Sequence, residues 1–184
     1  MRMRGRPKVL LARNYEEAMD IYNRYGKHMM GVISDVSFMR EGKKDSQAGL
    51  RLARQLHQLD KNLPIIVESS EVKNASFVAE FGGTFLDKNS KKLPVDLGQA
   101  ILENFGFGDF VIRNPHTGAE IDRIKDLRGL QNKIFDIPTE SLYYHANHDD
   151  ISRWLYSRAL FPIAEVMQMH RYEHAEEDQP VRQL

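Results

Sequence analysis

Three polar side chains of different chemistry stand at or just past three short apolar runs. Asp35 follows Met30-Gly-Val-Ile-Ser34, Ser69 and Ser70 close Leu63-Pro-Ile-Ile-Val-Glu-Ser-Ser70, and Lys88 follows Thr84-Phe-Leu86. A carboxylate, a hydroxyl and an ammonium gathered at one edge of a sheet would face a common small anion. Parallel α/β sheets keep their working crevice beyond the carboxyl ends of the strands, where all three would fall. The ordinary readings stand beside this one: Asp35 as a strand-end cap, Ser69 and Ser70 as helix caps, Lys88 as an exposed lysine. Lys88 gains its weight only from its place in the trio. Two other clusters hold metal-type ligands. His145 and His148 lie beside Asp149 and Asp150, and His170 and His174 flank Glu173. Each resembles half a metal site, but histidine pairs with no third ligand assigned are ordinarily solvated.

The elements that must position the trio follow from apolar spacing. Lys8-Val-Leu-Leu-Ala12, Met30–Ser34, Leu63–Val67 and Thr84–Leu86 are short apolar runs, as expected of buried parallel strands. Between them Ala18, Ile21, Tyr22 and Tyr25 mark a helix capped by Asn14, with Glu17 placed as in a capping box. Leu50, Leu52, Ala53, Leu56 and Leu59 mark a second helix. Val72–Phe81 is a short third, ended by Gly82-Gly83, and Val95–Phe105 a fourth. The stretch through Arg40–Asp45 reads as a polar loop. Alternating strands and helices predict a parallel sheet. Beyond Gly106-Phe-Gly108 the pattern changes. Phe110–Arg113 and Ala119–Arg123 predict a β-hairpin around Asn114–Gly118. Helices are expected over Leu127–Phe135, Ser141–Arg158 and Phe161–His170, with Pro138 separating the first two. Trp154, Leu155, Tyr156, Phe161, Ile163 and Met167 recur at helical spacing. They are a core face, or a partner surface if the helices stand apart. The tail from Glu173 is polar and expected to fray.

Composition limits the function classes. Lys plus Arg and Asp plus Glu both number 26, so the 184-residue chain has a formal net charge of zero. Nucleic-acid binding as the main task needs a basic face, and the basic start Met1–Lys8 is too short to supply one. The absence of cysteine excludes disulfides, thiolate nucleophiles and Cys-type zinc sites. No apolar run approaches a membrane span and no signal peptide is evident, so a soluble cytoplasmic protein is expected.

The order of strand-end residues resembles the receiver domains of bacterial two-component systems. Gly31-Val-Ile-Ser-Asp35 resembles the strand that ends in the phosphoacceptor aspartate. Leu63–Ser70 resembles the strand that ends in the hydroxyl contacting the phosphoryl group. Phe85-Leu-Asp-Lys88 resembles the last strand, with its switch aromatic and lysine. The resemblance covers about half the chain. It implies Asp35 at the phosphoacceptor position, Ser69 and Lys88 as phosphate-sensing residues and Phe85 as the switch aromatic. In such a site the carboxylate is the nucleophile in phosphoryl transfer, the lysine a point charge on the transferred group and magnesium the counter-charge.

The sequence departs from that pattern at its start. Receivers carry two acidic residues after their first strand, whereas Lys8–Ala12 is followed by Arg13. Only one helix separates that run from the strand of Asp35, and Tyr15-Glu-Glu-Ala18 resembles the start of a receiver's second helix. Val9–Ala12 therefore corresponds to the family's second strand. The first strand and helix are missing, because the chain is a piece of a longer protein or because the fold is abridged. Magnesium is expected only if an acidic pair lies upstream, with Asp35 the one residue here able to share in holding it; no cofactor is otherwise required. The chain alone is not expected to take phosphate from acetyl phosphate.

A second resemblance spans nearly the whole chain. Arg2–Ala12, Phe105-Gly-Phe-Gly-Asp-Phe110 and Glu140-Ser-Leu-Tyr-Tyr-His-Ala146 resemble the region ahead of the catalytic part in multidomain phosphoenolpyruvate synthase / pyruvate phosphate dikinase-like proteins. This implies a phosphotransferase module downstream, though the sequence shows neither a phosphate-cradling Gly-rich loop nor a phosphohistidine motif. The expectation is a flavodoxin-like (receiver-like) α/β domain over 1–105, lacking the first strand and helix, and a β-hairpin plus helical extension over 106–184. Its work would be regulatory signal transduction rather than catalysis. The alternatives are a degenerate receiver serving as an interaction or dimerisation scaffold, and a non-catalytic piece of a phosphotransferase. Expected partners are a protein or a downstream catalytic domain, with no nucleic acid and no membrane. A homo-oligomer is also expected: without the first strand, Val9–Ala12 must pair directly with Gly31–Ser34 or the sheet must borrow a partner.

Overall fold

The computed structural model describes residues 7–169. The basic leader through Arg6, the His170–Glu173–His174 group and the polar tail lie outside the described residues. The chain divides into two compact units, Pro7–Asn104 and the residues from Phe105 onward. Both contain helix and strand, an α/β protein whose first unit carries a parallel sheet. No helix among the described residues is long and apolar enough to cross a membrane.

In the first unit, helix α1 (Tyr15–Tyr25) starts where Asn14 Oδ1 accepts the Glu17 N–H at 2.8 Å, while the Glu17 carboxylate accepts the Arg13 N–H at 2.7 Å. The first bond satisfies a donor that a helix start leaves open, and the second ties the residue before the cap back onto the first turn. Strand β1 (Val32–Asp35) leads into β2 (Phe38–Arg40) and β3 (Lys43–Asp45), then α2 (Ala48–Leu59), β4 (Ile65–Ser69), α3 (Asn74–Ala79), β5 (Thr84–Asp87) and α4 (Leu93–Asn104). The main sheet has the order β1-β4-β5, parallel throughout. One face presents Ile65 and Val67 to Leu52, Ala53, Leu56 and Val78, with Tyr22, Phe77 and Phe85 packed around them. On the other face Asn104 of α4 donates to Thr84 Oγ1 at 3.2 Å, and Ile66 and Ala100 are buried.

Two expectations change here. The polar stretch through Asp45 is not a loop: β2 and β3 pair antiparallel around Glu41 and Gly42, both at positive φ (51° and 71°). That pair of dihedrals is the two-residue hairpin turn, and only Gly42 advertised it. The Glu41 N–H also donates to the Glu16 carboxylate at 2.9 Å, which ties the ribbon to α1. Conversely, Lys8–Ala12 is not a strand. It joins no sheet, and Val9 and Leu11 are 87% and 79% exposed. Strand propensity measures fit to a neighbouring pleated surface, and the run has no such neighbour. The direct pairing with β1 is not made.

The second unit opens with the hairpin of β6 (Phe110–Arg113) and β7 (Glu120–Ile124), bulged at Ile112/Arg113. Its loop is built by Asn114, whose Oδ1 accepts the His116 and Thr117 N–H groups at 2.9 and 3.1 Å. Helices α5 (Leu127–Lys133), α6 (Thr139–Asn147), α7 (Asp150–Tyr156) and α8 (Phe161–Met169) follow. The single helix expected over Ser141–Arg158 is thus two. Asp149 adopts the left-handed conformation at φ 57° and breaks it, as a short polar side chain tolerates better than most. The core gathers Ile112, Ile124, Leu142, Ile151, Trp154, Leu155 and Met167. The Gly106–Gly108 segment is tied to this core by Arg158, which donates to the carbonyls of Gly106 and Gly108 at 3.1 and 2.8 Å.

Candidate functional site

The carboxyl ends of β1, β4 and β5 carry the residues singled out by their positions. Asp35 is the last residue of β1, in register with Glu68 of β4. Lys88 follows β5, its backbone N–H held by the Ser69 carbonyl at 2.9 Å. The Lys88 ammonium donates to Asp35 Oδ2 at 2.5 Å. β1 and β5 are separated by β4, so their axes stand about 10 Å apart at the usual ~4.8 Å strand spacing. The ion pair therefore bridges the end of β4, and the long flexible lysine stem makes that reach possible. The side chains of Lys88 and Asp35 are 33% and 49% exposed, so the pair is open to solvent on one side.

The other Asp35 oxygen is also engaged. Oδ1 accepts the Val36 and Ser37 N–H groups at 2.6 and 3.4 Å. Partial burial works to raise the Asp35 pKa; the Lys88 hydrogen bond, the Ser37 and Val36 N–H groups and the Lys88 charge together outweigh it and hold the carboxyl below its ordinary value. A carboxyl depressed in the folded state contributes stability above its unfolded pKa, and loses it as pH falls through the folded value. Lys88→Met removes the leading opposing contributions while leaving burial in place. The Asp35 carboxyl should then titrate at higher pH than in the unchanged protein, measured by carbon-detected NMR of the side-chain carboxyl. An unchanged titration would mean that Lys88 does not set the charge of Asp35.

Ser69 is not brought to the ion pair by any observed contact. Its hydroxyl is buried and accepts the Glu71 N–H at 3.1 Å and the Asn74 side-chain amide at 3.0 Å. It builds the turn that leads into α3, which is the ordinary role of a serine at that place. Phe85 lies half-buried against the core face of the sheet. Asp35 offers one carboxylate, already paired with an ammonium. Among the described residues no group of three or more His, Asp or Glu side chains is placed to hold a metal ion.

Two features had weaker signals in the sequence. Gly49, in the first turn of α2, lies against the Asp35 carbonyl: a Cβ there would sit 1.8 Å from that oxygen. An isolated glycine at a helix start is the only trace of this in the sequence. The second is His145, which is 3% exposed. Its Nε2 accepts the Arg113 backbone N–H at 3.0 Å and its Nδ1 contacts Asp150 Oδ2 at 2.7 Å. The proton of a neutral ring must then sit on Nδ1. Ser141, one turn back on α6, is fully buried. Serine, histidine and aspartate are thus close in sequence, but Nε2 is committed to a backbone donor and the serine is sealed from any substrate. His145 and Asp150 lock β6 to α6 and α7. His148 is turned elsewhere, with Nδ1 at 2.7 Å from the Tyr144 carbonyl.

No known protein family, no curated protein and no solved structure matches this chain. The parallel sheet and the helices around it make this a mixed α/β protein, with the ion pair at the sheet's carboxyl edge.

Proposed function

We propose that Pro7–Asn104 is a regulatory module of receiver-like, abridged flavodoxin-like fold, with Asp35 at the phosphoacceptor position and Lys88 as its charge partner. The observation that carries this reading is the 2.5 Å Lys88–Asp35 pair across the end of β4. A change of charge at Asp35, by covalent modification or by binding, releases an ammonium anchored at the β5–α4 junction. The loop after β5 is tied to β4 through the Asn89 amide on the Ser70 carbonyl at 3.0 Å. A released Lys88 therefore alters a surface that spans two strands and α4, the kind of local electrostatic event that biases a two-state element. Ser69 and Phe85 act as sensors in this scheme by holding the α3 turn and the core face of β5. On this reading the module works through a protein partner or a linked catalytic domain and performs no catalysis itself.

A second reading has its own support. With the Lys88 ammonium closed on the Asp35 carboxylate, the module also fits a scaffold that never takes phosphate. Asp35→Asn separates the two. Neutralising the carboxylate should shift the backbone amide resonances of Ser69, Phe85, Lys88 and the first turn of α4. Shifts confined to residues 34–37 would sink the regulatory reading and leave the scaffold.

A further inference from the structure

Two unsatisfied features of the first unit complement each other. One is the run Val9-Leu10-Leu11-Ala12, apolar and joined to no sheet, with Val9 and Leu11 almost wholly in water. The other is the free edge of β1, which among the described residues pairs with β4 on one side only. Ile33, in the middle of that strand, is 45% exposed. Strands of parallel sheets are ordinarily buried, and a free edge presents a row of open N–H and C=O groups that templates a further strand. The run has the composition of such a strand, and Pro7 lies just before it, so each residue from Lys8 to Arg13 keeps its N–H. Within one chain the two do not meet. The segment's carboxyl end is anchored elsewhere, where Asn14 caps α1 and bridges to Met39 of β2.

We propose that Val9–Ala12 of one copy adds to the β1 edge of a second copy, and reciprocally, giving a two-fold dimer by strand exchange. One symmetry operation then satisfies both features in both chains, which is the economy of an isologous interface. Four apolar residues face the four residues of β1, and zero formal net charge sets no long-range repulsion between copies. The pairing stands apart from the proposed role of Asp35 and does not need it.

The absence of cysteine makes the test direct. Leu10→Cys and Ile33→Cys chains, prepared separately and mixed under mild oxidation, should give a disulfide-linked heterodimer. Light scattering in line with size-exclusion chromatography should give twice the chain mass for the unchanged protein. The Val9→Asp/Leu11→Asp chain should raise the dimer dissociation constant at least tenfold with its circular dichroism unchanged, since both positions are exposed. A monomeric mass across a wide concentration range would overturn the proposal. So would a Leu10→Cys/Ile33→Cys double variant that closes within one chain, or a dimer indifferent to Val9 and Leu11.

Discussion

Replacing Gly49 with alanine is expected to destabilise the protein by about 3 kcal/mol or more, the largest effect of any single methyl addition in the first unit. The added Cβ would fall 1.8 Å from the Asp35 carbonyl oxygen and 2.9 Å from the Val36 Cα. Neither atom belongs to a flexible side chain, so relief requires the start of α2 to lift off the end of β1. That movement breaks the Gly49 N–H bond to the Val36 carbonyl, 2.9 Å long, and disturbs the peptide whose N–H groups hold Asp35 Oδ1. Stability and site geometry are therefore coupled at this glycine. Urea unfolding followed by circular dichroism measures the cost. Gly98→Ala provides the contrast: Gly98 lies inside α4, and an added methyl would find nothing within 4 Å. Alanine there should stabilise by about 0.5–1 kcal/mol through the unfolded chain's lost freedom. If both variants behave alike, the close approach of α2 to Asp35 is not a constraint on the fold.

What the sequence conveys and what it withholds divide along one physical line. Leu52, Ala53 and Leu56 repeat at helical spacing and are buried in α2; Ile65 and Val67 form an apolar run and become the central strand of the sheet. Those patterns are local, and local pattern suffices when an element buries most of its own apolar side. The meeting of Asp35 and Lys88 was also foreseeable, because parallel topology alone brings strand ends to one edge. The Val9–Ala12 run failed for the opposite reason: its apolarity is local, but a strand exists only with a neighbour, and none is adjacent. The β2–β3 ribbon was missed because Glu41 adopts a left-handed conformation that its residue type does not announce. The α6–α7 break turns on Asp149 in the same way. Ser69 was readable as a residue at a strand end. Its partners Asn74 and Glu71 were not, because hydrogen bonding within a turn depends on the path the turn takes.

Trp154→Ala is expected to cost the second unit about 3–5 kcal/mol, the range for deleting a large buried aromatic. Trp154 is 1% exposed. Its ring stands 5.9 Å from that of Phe110 on β6, and the Arg158 guanidinium stacks 3.8 Å from its centre. The same guanidinium holds the Gly106 and Gly108 carbonyls, so the indole is the floor on which the Phe105–Phe110 segment is tied down. Truncation opens a cavity and also removes the surface that orders Arg158, whose stacking alone is worth about 0.5–2 kcal/mol. The indole N–H, by contrast, is buried with no hydrogen-bond partner. Trp154→Phe therefore gives up packing volume but no satisfied hydrogen bond, and even removes a buried donor that had none. It should cost less than half of what Trp154→Ala costs. This is the chain's one tryptophan, so both variants are followed by circular dichroism or calorimetry rather than fluorescence. Equal losses from the two variants would show that this core depends on the full indole, and that a smaller aromatic ring beneath Arg158 does not replace it.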